Sequence, residues 1–123
     1  MKISNTGILS IGDNVFISAN TNIICTDRIE IGDACNISWQ CLFMDSDFHK
    51  IYDRSSGLQI NQQEPIYIGN HVWIGCNCII LKGTHIGESI VIAAGSVIAK
   101  ELKESHCIYT SSTCLKRNIE WSN

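Results

Sequence analysis

The sequence predicts an all-β chain folded as a parallel β-helix of about four stacked coils. It reads as one domain over residues 1–123, with one protruding loop and a short C-terminal tail. Three observations carry this expectation. First, large apolar residues recur every six positions, at Ile11, Ile17 and Ile23, at Ile31, Ile37 and Phe43, and from Ile68 through Ile74, Ile80, Ile86 and Ile92 to Ile98. Second, the residue after the anchor is small at nine of these twelve positions, among them Gly12, Gly32, Gly69, Gly75 and Gly87. Third, where the run is unbroken the pattern closes after 18 residues, as from Ile68 to Ile86. A period of six is neither the 3.6 of a helix nor the 2 of a half-buried strand. It suits a short strand plus a tight turn, three of which make one triangular coil, and such coils stack as a one-dimensional solenoid.

Taken in order, Ile11, Ile17 and Ile23 anchor the first coil and Ile31, Ile37 and Phe43 the second. The step from Ile11 to Ile31 is 20, so a two-residue bulge is expected near Asp27-Arg28. The step from Ile31 to Ile68 is 37, one coil plus 19 extra residues, which places a loop over about residues 49–67. Ile68, Ile74 and Ile80 anchor the third coil and Ile86, Ile92 and Ile98 the fourth, before a tail over about residues 104–123. β-Branched Ile suits the pleated inner face. The glycine after the anchor is expected to turn the chain at positive φ. Cys35, Cys41 and Cys78 fall on a compact inward position and are expected as small buried hydrophobes. Cys25 and Cys76 fall on turns, and Cys107 and Cys114 in the tail. Trp73 is too large for a narrow prism and is expected to face outward, where an indole offers a stacking surface. Trp39 is read as packing or interface.

Composition narrows the function. Nine Lys and Arg against twelve Asp and Glu give a net charge of -3, so there is no basic footprint for nucleic acid. No uncharged apolar run approaches the roughly 20 residues that span a bilayer, which argues against membrane insertion. Met1-Lys2 leads into Ser4-Asn5-Thr6-Gly7 with no signal-peptide core, so a cytoplasmic location is expected. An odd count of seven cysteines in such a chain argues against a disulfide framework. The extra loop holds Ile51, Tyr52, Leu58 and Ile60, too apolar for a free tail, and loops this long in compact domains are usually functional or disordered. At its root stands Asp45-Ser-Asp-Phe-His49.

The six-residue pattern over about residues 8–103 resembles the hexapeptide-repeat acyltransferases, whose β-helix is left-handed. The stretches Ile66-Tyr-Ile-Gly-Asn-His-Val-Trp-Ile-Gly75 and Ile86 to Lys100 look most like the sugar O-acetyltransferase branch, the galactoside, maltose, nodulation and capsule type. The resemblance implies acetyl-CoA as acyl donor, a sugar or glycan acceptor, direct transfer, and a homotrimer with clefts between neighbours. His49 matches the family's catalytic histidine, a general base of suitable pKa for a sugar hydroxyl. Asp45 and Asp47 are candidates to orient its imidazole or hold a sugar hydroxyl. Trp73 matches the tryptophan that lines the cleft. Gly75, Cys76, the Ala93-Ala94-Gly95-Ser96 run, Ala99 and Lys100 match positions along the donor, and Lys116 and Arg117 match the basic stretch at its nucleotide end. The turn before that stretch, Tyr109 to Cys114, departs from the family's Gly-x-Pro-Ala-like sequence.

Other chemistries fare less well. The related γ-class carbonic anhydrases hold zinc with paired histidines five apart, and no pair among His49, His71, His85 and His106 has that spacing. Cys76-Asn-Cys78 does not match a standard zinc motif, so no metal is expected. An N-acetyltransferase acting on an amino-sugar nucleotide and a serine O-acetyltransferase-like activity are the alternatives, since either acceptor needs a base. A non-catalytic β-helix scaffold is the least favoured, because it would need neither the Asp-x-Asp-x-His motif nor the loop.

Overall fold

In the computed structural model, which describes residues 1–123, the chain winds into a parallel β-helix without a single α-helix. No helix is therefore long and apolar enough to cross a membrane. After β1 (Lys2–Ile3), the first coil comprises β2 (Ile8–Ile11), β3 (Phe16–Ile17) and β4 (Asn22–Cys25). The second comprises β5 (Arg28–Ile31), β6 (Asn36–Ile37) and β7 (Leu42–Met44). The third comprises β8 (Ile66–Ile68), β9 (Trp73–Ile74) and β10 (Ile79–Leu81), and the fourth β11 (His85–Ile86), β12 (Ile90–Ile92) and β13 (Val97–Ile98). Residues 104–123, expected as a tail, are more ordered than that. After β14 (Glu101–Leu102), β15 (Cys107–Thr110) continues the winding, and β16 (Thr113–Arg117) turns back against it.

Three flat sheets result. The first stacks β1-β4-β7-β10-β13, the second β2-β5-β8-β11-β14, and the third β3-β6-β9-β12-β15 with β16 at its edge. Every pairing is parallel except β15 with β16. The anchors stack in register, Ile31 on Ile68 on Ile86 in the second sheet and Ile37 on Ile74 on Ile92 in the third. Ten of the twelve anchors are buried, each worth roughly 1.5–3 kcal/mol of apolar transfer. Ile11 and Ile17 remain 40% and 37% exposed because the first coil has only β1 beyond it.

The compact inward position has a polar task as well. The thiols of Cys35, Cys41 and Cys78 donate to the carbonyls of Gly69, Gly75 and Ala93 at 3.1–3.2 Å, and the Thr84 hydroxyl to Ile98 at 3.0 Å. These bonds satisfy corner carbonyls that no strand reaches. Cys25 and Cys107, expected on a turn and in the tail, are also buried. All seven cysteines are free.

The glycine reading needs correction. Positive φ falls three residues after the anchor, at Asn14, Asn20, Ala34, Gln40, His71, Asn77, Gly83, Ser89 and Gly95. The glycine right after the anchor is required for space. A Cβ on Gly69 would lie 2.8 Å from the Gly87 carbonyl carbon, and one on Gly32 would lie 2.9 Å from that of Gly69. The coils touch backbone to backbone along this edge.

Candidate active site

The chain leaves the prism after β7, at the edge between the first and second sheets, and returns at β8. The intervening residues form a small hairpin. Ile60 N–H donates to Ile51 O and Asp53 N–H to Leu58 O, each at 2.8 Å, and the Asp53 carboxylate accepts from the amides of Ser55 and Ser56. Ile51, Tyr52, Leu58 and Ile60 are all more than half exposed, so the arm carries an apolar surface with no cover in its own chain.

The root of this arm is tied by side chains far apart in sequence. The Asn61 amide donates to His49 O at 2.7 Å and to Asp47 Oδ2 at 2.9 Å, while its Oδ1 accepts from Ile51 N–H. Lys82, from the next coil, pairs with Asp47 at 3.0 Å and donates to Gln62 O at 2.7 Å. The Asn61 hydrogen bond and the Lys82 ammonium hold the Asp47 carboxyl below its usual range. Beside them opens a polar pocket of about 310 Å³, bordered by Ser46, Asp47, His49, Asn61, Gln62 and Lys82. His49 is exposed there.

Asp45 has a different task from the one expected. It is fully buried, and its carboxylate accepts from Thr26 N–H at 2.7 Å, the Thr26 hydroxyl at 2.9 Å and Asp27 N–H at 2.8 Å. It therefore braces the corner where the first coil has its two extra residues, and it does not touch His49. Asp47 reaches the histidine only through Asn61 and its backbone. Neither Asn61 nor Lys82 carried a sequence signal, because each acts across a gap of ten residues or more.

The remaining candidates lie on three different parts of the prism. Trp73 faces out from the third sheet, 41% exposed, and its Nε1–H points to Ser38 Oγ at 3.4 Å. Gly75, Cys76 and Ala94 line the edge between the third and first sheets. The N–H groups of Cys76 and Ala94 take no part in the coil-to-coil ladder and are free to bond a ligand. A Cβ on Gly75 would meet Ala94 N at 2.7 Å, so this edge stays bare. Ala99 and Lys100 lie on the other edge of the first sheet, the one that carries the His49 loop. Lys116 and Arg117 are on β16, where Lys116 is exposed and Arg117 is tied to Glu104 at 3.0 Å. A triangular prism sets its first–second edge opposite its third face. One chain therefore cannot bring His49 and Trp73 into a common site.

The other histidines have structural partners. His71 stacks on Trp121 with ring centres 4.1 Å apart, and the Trp121 indole donates to His71 O at 2.9 Å. Nothing in the tail sequence signalled Trp121, which is buried against the third sheet. His85 lies edge-on to Tyr67, and His106 contacts Ile119 O and Glu120.

Residues 65–100 match the family described as bacterial transferase hexapeptide, six repeats. The galactoside O-acetyltransferase of Lactococcus lactis is 34% identical over 70 residues, which is 57% of this chain and 33% of that protein. A solved polysialic acid O-acetyltransferase superposes with a TM-score of 0.91 at 30% identity, covering 98% of this chain and 59% of that one. A hexapeptide-repeat acetyltransferase of Vibrio cholerae, solved with acetyl coenzyme A, superposes with a TM-score of 0.74 at 28% identity, covering 92% and 61%. The chain thus spans less than two thirds of the length of each of these proteins. Its coils are similar to those of the hexapeptide-repeat β-helix acetyltransferases, and the likeness runs to the sugar O-acetyltransferases.

Proposed function

We propose that this chain forms the β-helix of an acetyl-CoA-dependent O-acetyltransferase whose acceptor is a sugar or glycan. The observation that carries the reading is His49, an exposed imidazole at the mouth of a polar pocket whose backbone is fixed by Asn61 and, through it, by Asp47 and Lys82. The relatives named above for galactoside and polysialic acid support the acceptor class, and the Vibrio complex supports the donor. The acetyl thioester supplies an activated acyl group. His49 takes the proton of the acceptor hydroxyl as its oxygen attacks the thioester carbonyl, and gives it to the departing CoA sulfur. A backbone N–H can hold the oxyanion between those steps, and the unpaired amides of Cys76 and Ala94 are suited to donor amide groups. Lys100 and Lys116, both exposed and outside any ion pair, are suited to CoA phosphates.

The active form in this reading is a homotrimer in which His49 of one copy meets Trp73 and the Cys76–Ala94 edge of the next. The apolar hairpin arm supports it, since a neighbouring copy would cover Ile51, Tyr52, Leu58 and Ile60. A cytoplasmic setting suits seven free thiols. His49→Ala should lower kcat by roughly 10²–10⁴-fold with acetyl-CoA affinity little changed. Near-normal turnover by His49→Ala would remove the base from this mechanism.

A further inference from the structure

The hairpin of β15 and β16 brings together three side chains that neither the base nor the donor uses. Glu104, Cys107 and Cys114 set a carboxylate oxygen and two thiol sulfurs within 4.8 Å of one another. The step of seven from Cys107 to Cys114 matches no standard zinc motif, so the cluster is a product of the fold. The two strands begin in strict register, with Cys107 opposite Arg117 and Ile108 opposite Lys116. They then slip by one residue, so that Tyr109 faces Cys114 and Thr110 faces Thr113. Without the slip Leu115 would stand opposite Tyr109. Residues opposite each other on antiparallel strands share a face, and Cys107 and Tyr109 are buried. The bulge therefore turns Cys114 in against the core and leaves Leu115 outside, 57% exposed. Burial alone would favour the reverse, because a leucine gains more from it than a thiol. Bulges that re-aim a side chain are features of working sites. The Cys107 thiol is also unlike those of Cys35, Cys41 and Cys78, which reach carbonyls of the neighbouring coil. It donates to Ser105 O, two residues back, at 3.4 Å.

We propose that Glu104, Cys107 and Cys114 form a site for a thiophilic divalent cation of the zinc class, which staples the hairpin to the prism. Two thiolates and a carboxylate favour zinc over magnesium or calcium, which take oxygen ligands. Two sulfurs about 2.3 Å from a tetrahedral zinc lie roughly 3.8 Å apart, so the donors need to close by no more than about 1 Å. Exposed Glu104 can supply much of that movement. On binding, each thiol releases its proton to solvent. The three anionic donors then exceed the ion by one charge. Arg117, whose Nε lies 3.0 Å from the Glu104 carboxylate, supplies the balance, so the loaded cluster is neutral. β16 is the edge strand of the third sheet and pairs with β15 alone. A metal clip there holds the strand that the ladder holds least, as in small domains that add a metal to a limited core.

The test titrates the full chain, reduced and stripped with a chelator, with Zn²⁺ against a competing dye and with Co²⁺ followed by absorption. About one ion per chain should bind, and cobalt should show a thiolate-to-metal charge-transfer band. Kd should rise about a hundredfold in Cys114→Ser and at least about tenfold in Glu104→Gln. The second variant lies at the surface, so it decides the matter if the first fails to fold. Zinc should raise Tm and slow amide exchange across β15 and β16 in wild type, and should do neither in Cys114→Ser. The proposal fails if wild type takes up no zinc, if cobalt gives no thiolate band, or if both variants bind like wild type. It fails too if uptake is lost in Cys76→Ser instead, which would put the ion at that turn. A Cys107–Cys114 disulfide that forms in air, with no metal uptake once it is reduced, would overturn the metal assignment and make the pair a redox device.

Discussion

Asp45 and Asp47 carry the same carboxylate two residues apart and end in opposite surroundings. Asp45 is fully buried and satisfied by two amides and a hydroxyl; Asp47 is at the surface between Asn61 and Lys82. The difference follows from the strand period, since residue 45 still points into the prism while the chain has left it by residue 47. The folded Asp47 carboxyl titrates below its usual range. Its contribution is therefore complete above about pH 4, the unfolded value, and is lost as pH falls through the lower folded value. Protection of the hairpin amides, corrected for the intrinsic exchange rate, should fall on that acid limb, and Asp47→Asn should show the lower protection already at pH 7. Equal protection in wild type and Asp47→Asn at neutral pH would mean that the Lys82 pair does not hold the loop. Such surroundings were not legible in the sequence. The motif pointed to a candidate site, but Asn61, Lys82 and Trp121 contribute only after the winding has brought distant residues together.

At the scale of the strand and corner, far more could be read in advance. A coil is set by local spacing, and every third unit repeats the same environment, so twelve anchors report on one geometry twelve times. The loop and the two-residue bulge were legible for the same reason, as departures from a strict count. What misled was the role of glycine, because close packing between coils is not a property of one turn. Gly69→Ala should cost about 1–3 kcal/mol, since its Cβ would press on the Gly87 backbone at 2.8 Å and neither coil can withdraw. Gly57, at φ +74 with nothing within 4 Å, should cost only about 1 kcal/mol as alanine, from its backbone conformation. Urea unfolding of the two variants compares them. A smaller loss at Gly69 than at Gly57 would refute the spacing argument.

For the whole molecule, the prism keeps His49 and the Trp73 face on opposite sides, and the proposed assembly reunites them. Light scattering should then give three times the 13.7 kDa chain. The same opposition has a genetic consequence. Two copies damaged in different places can lend each other what they lack. Chains carrying His49→Ala keep an intact Trp73, and chains carrying Trp73→Ala keep an intact His49. If equal amounts are unfolded together and reassembled at random, about one junction in four joins two sound halves. Turnover at low acceptor concentration should then exceed the mean of the two parent preparations. A mixture no better than that mean would place each site within a single chain. Complementation between two crippled copies would be the direct signature of a prism that faces its own chemistry from the wrong side.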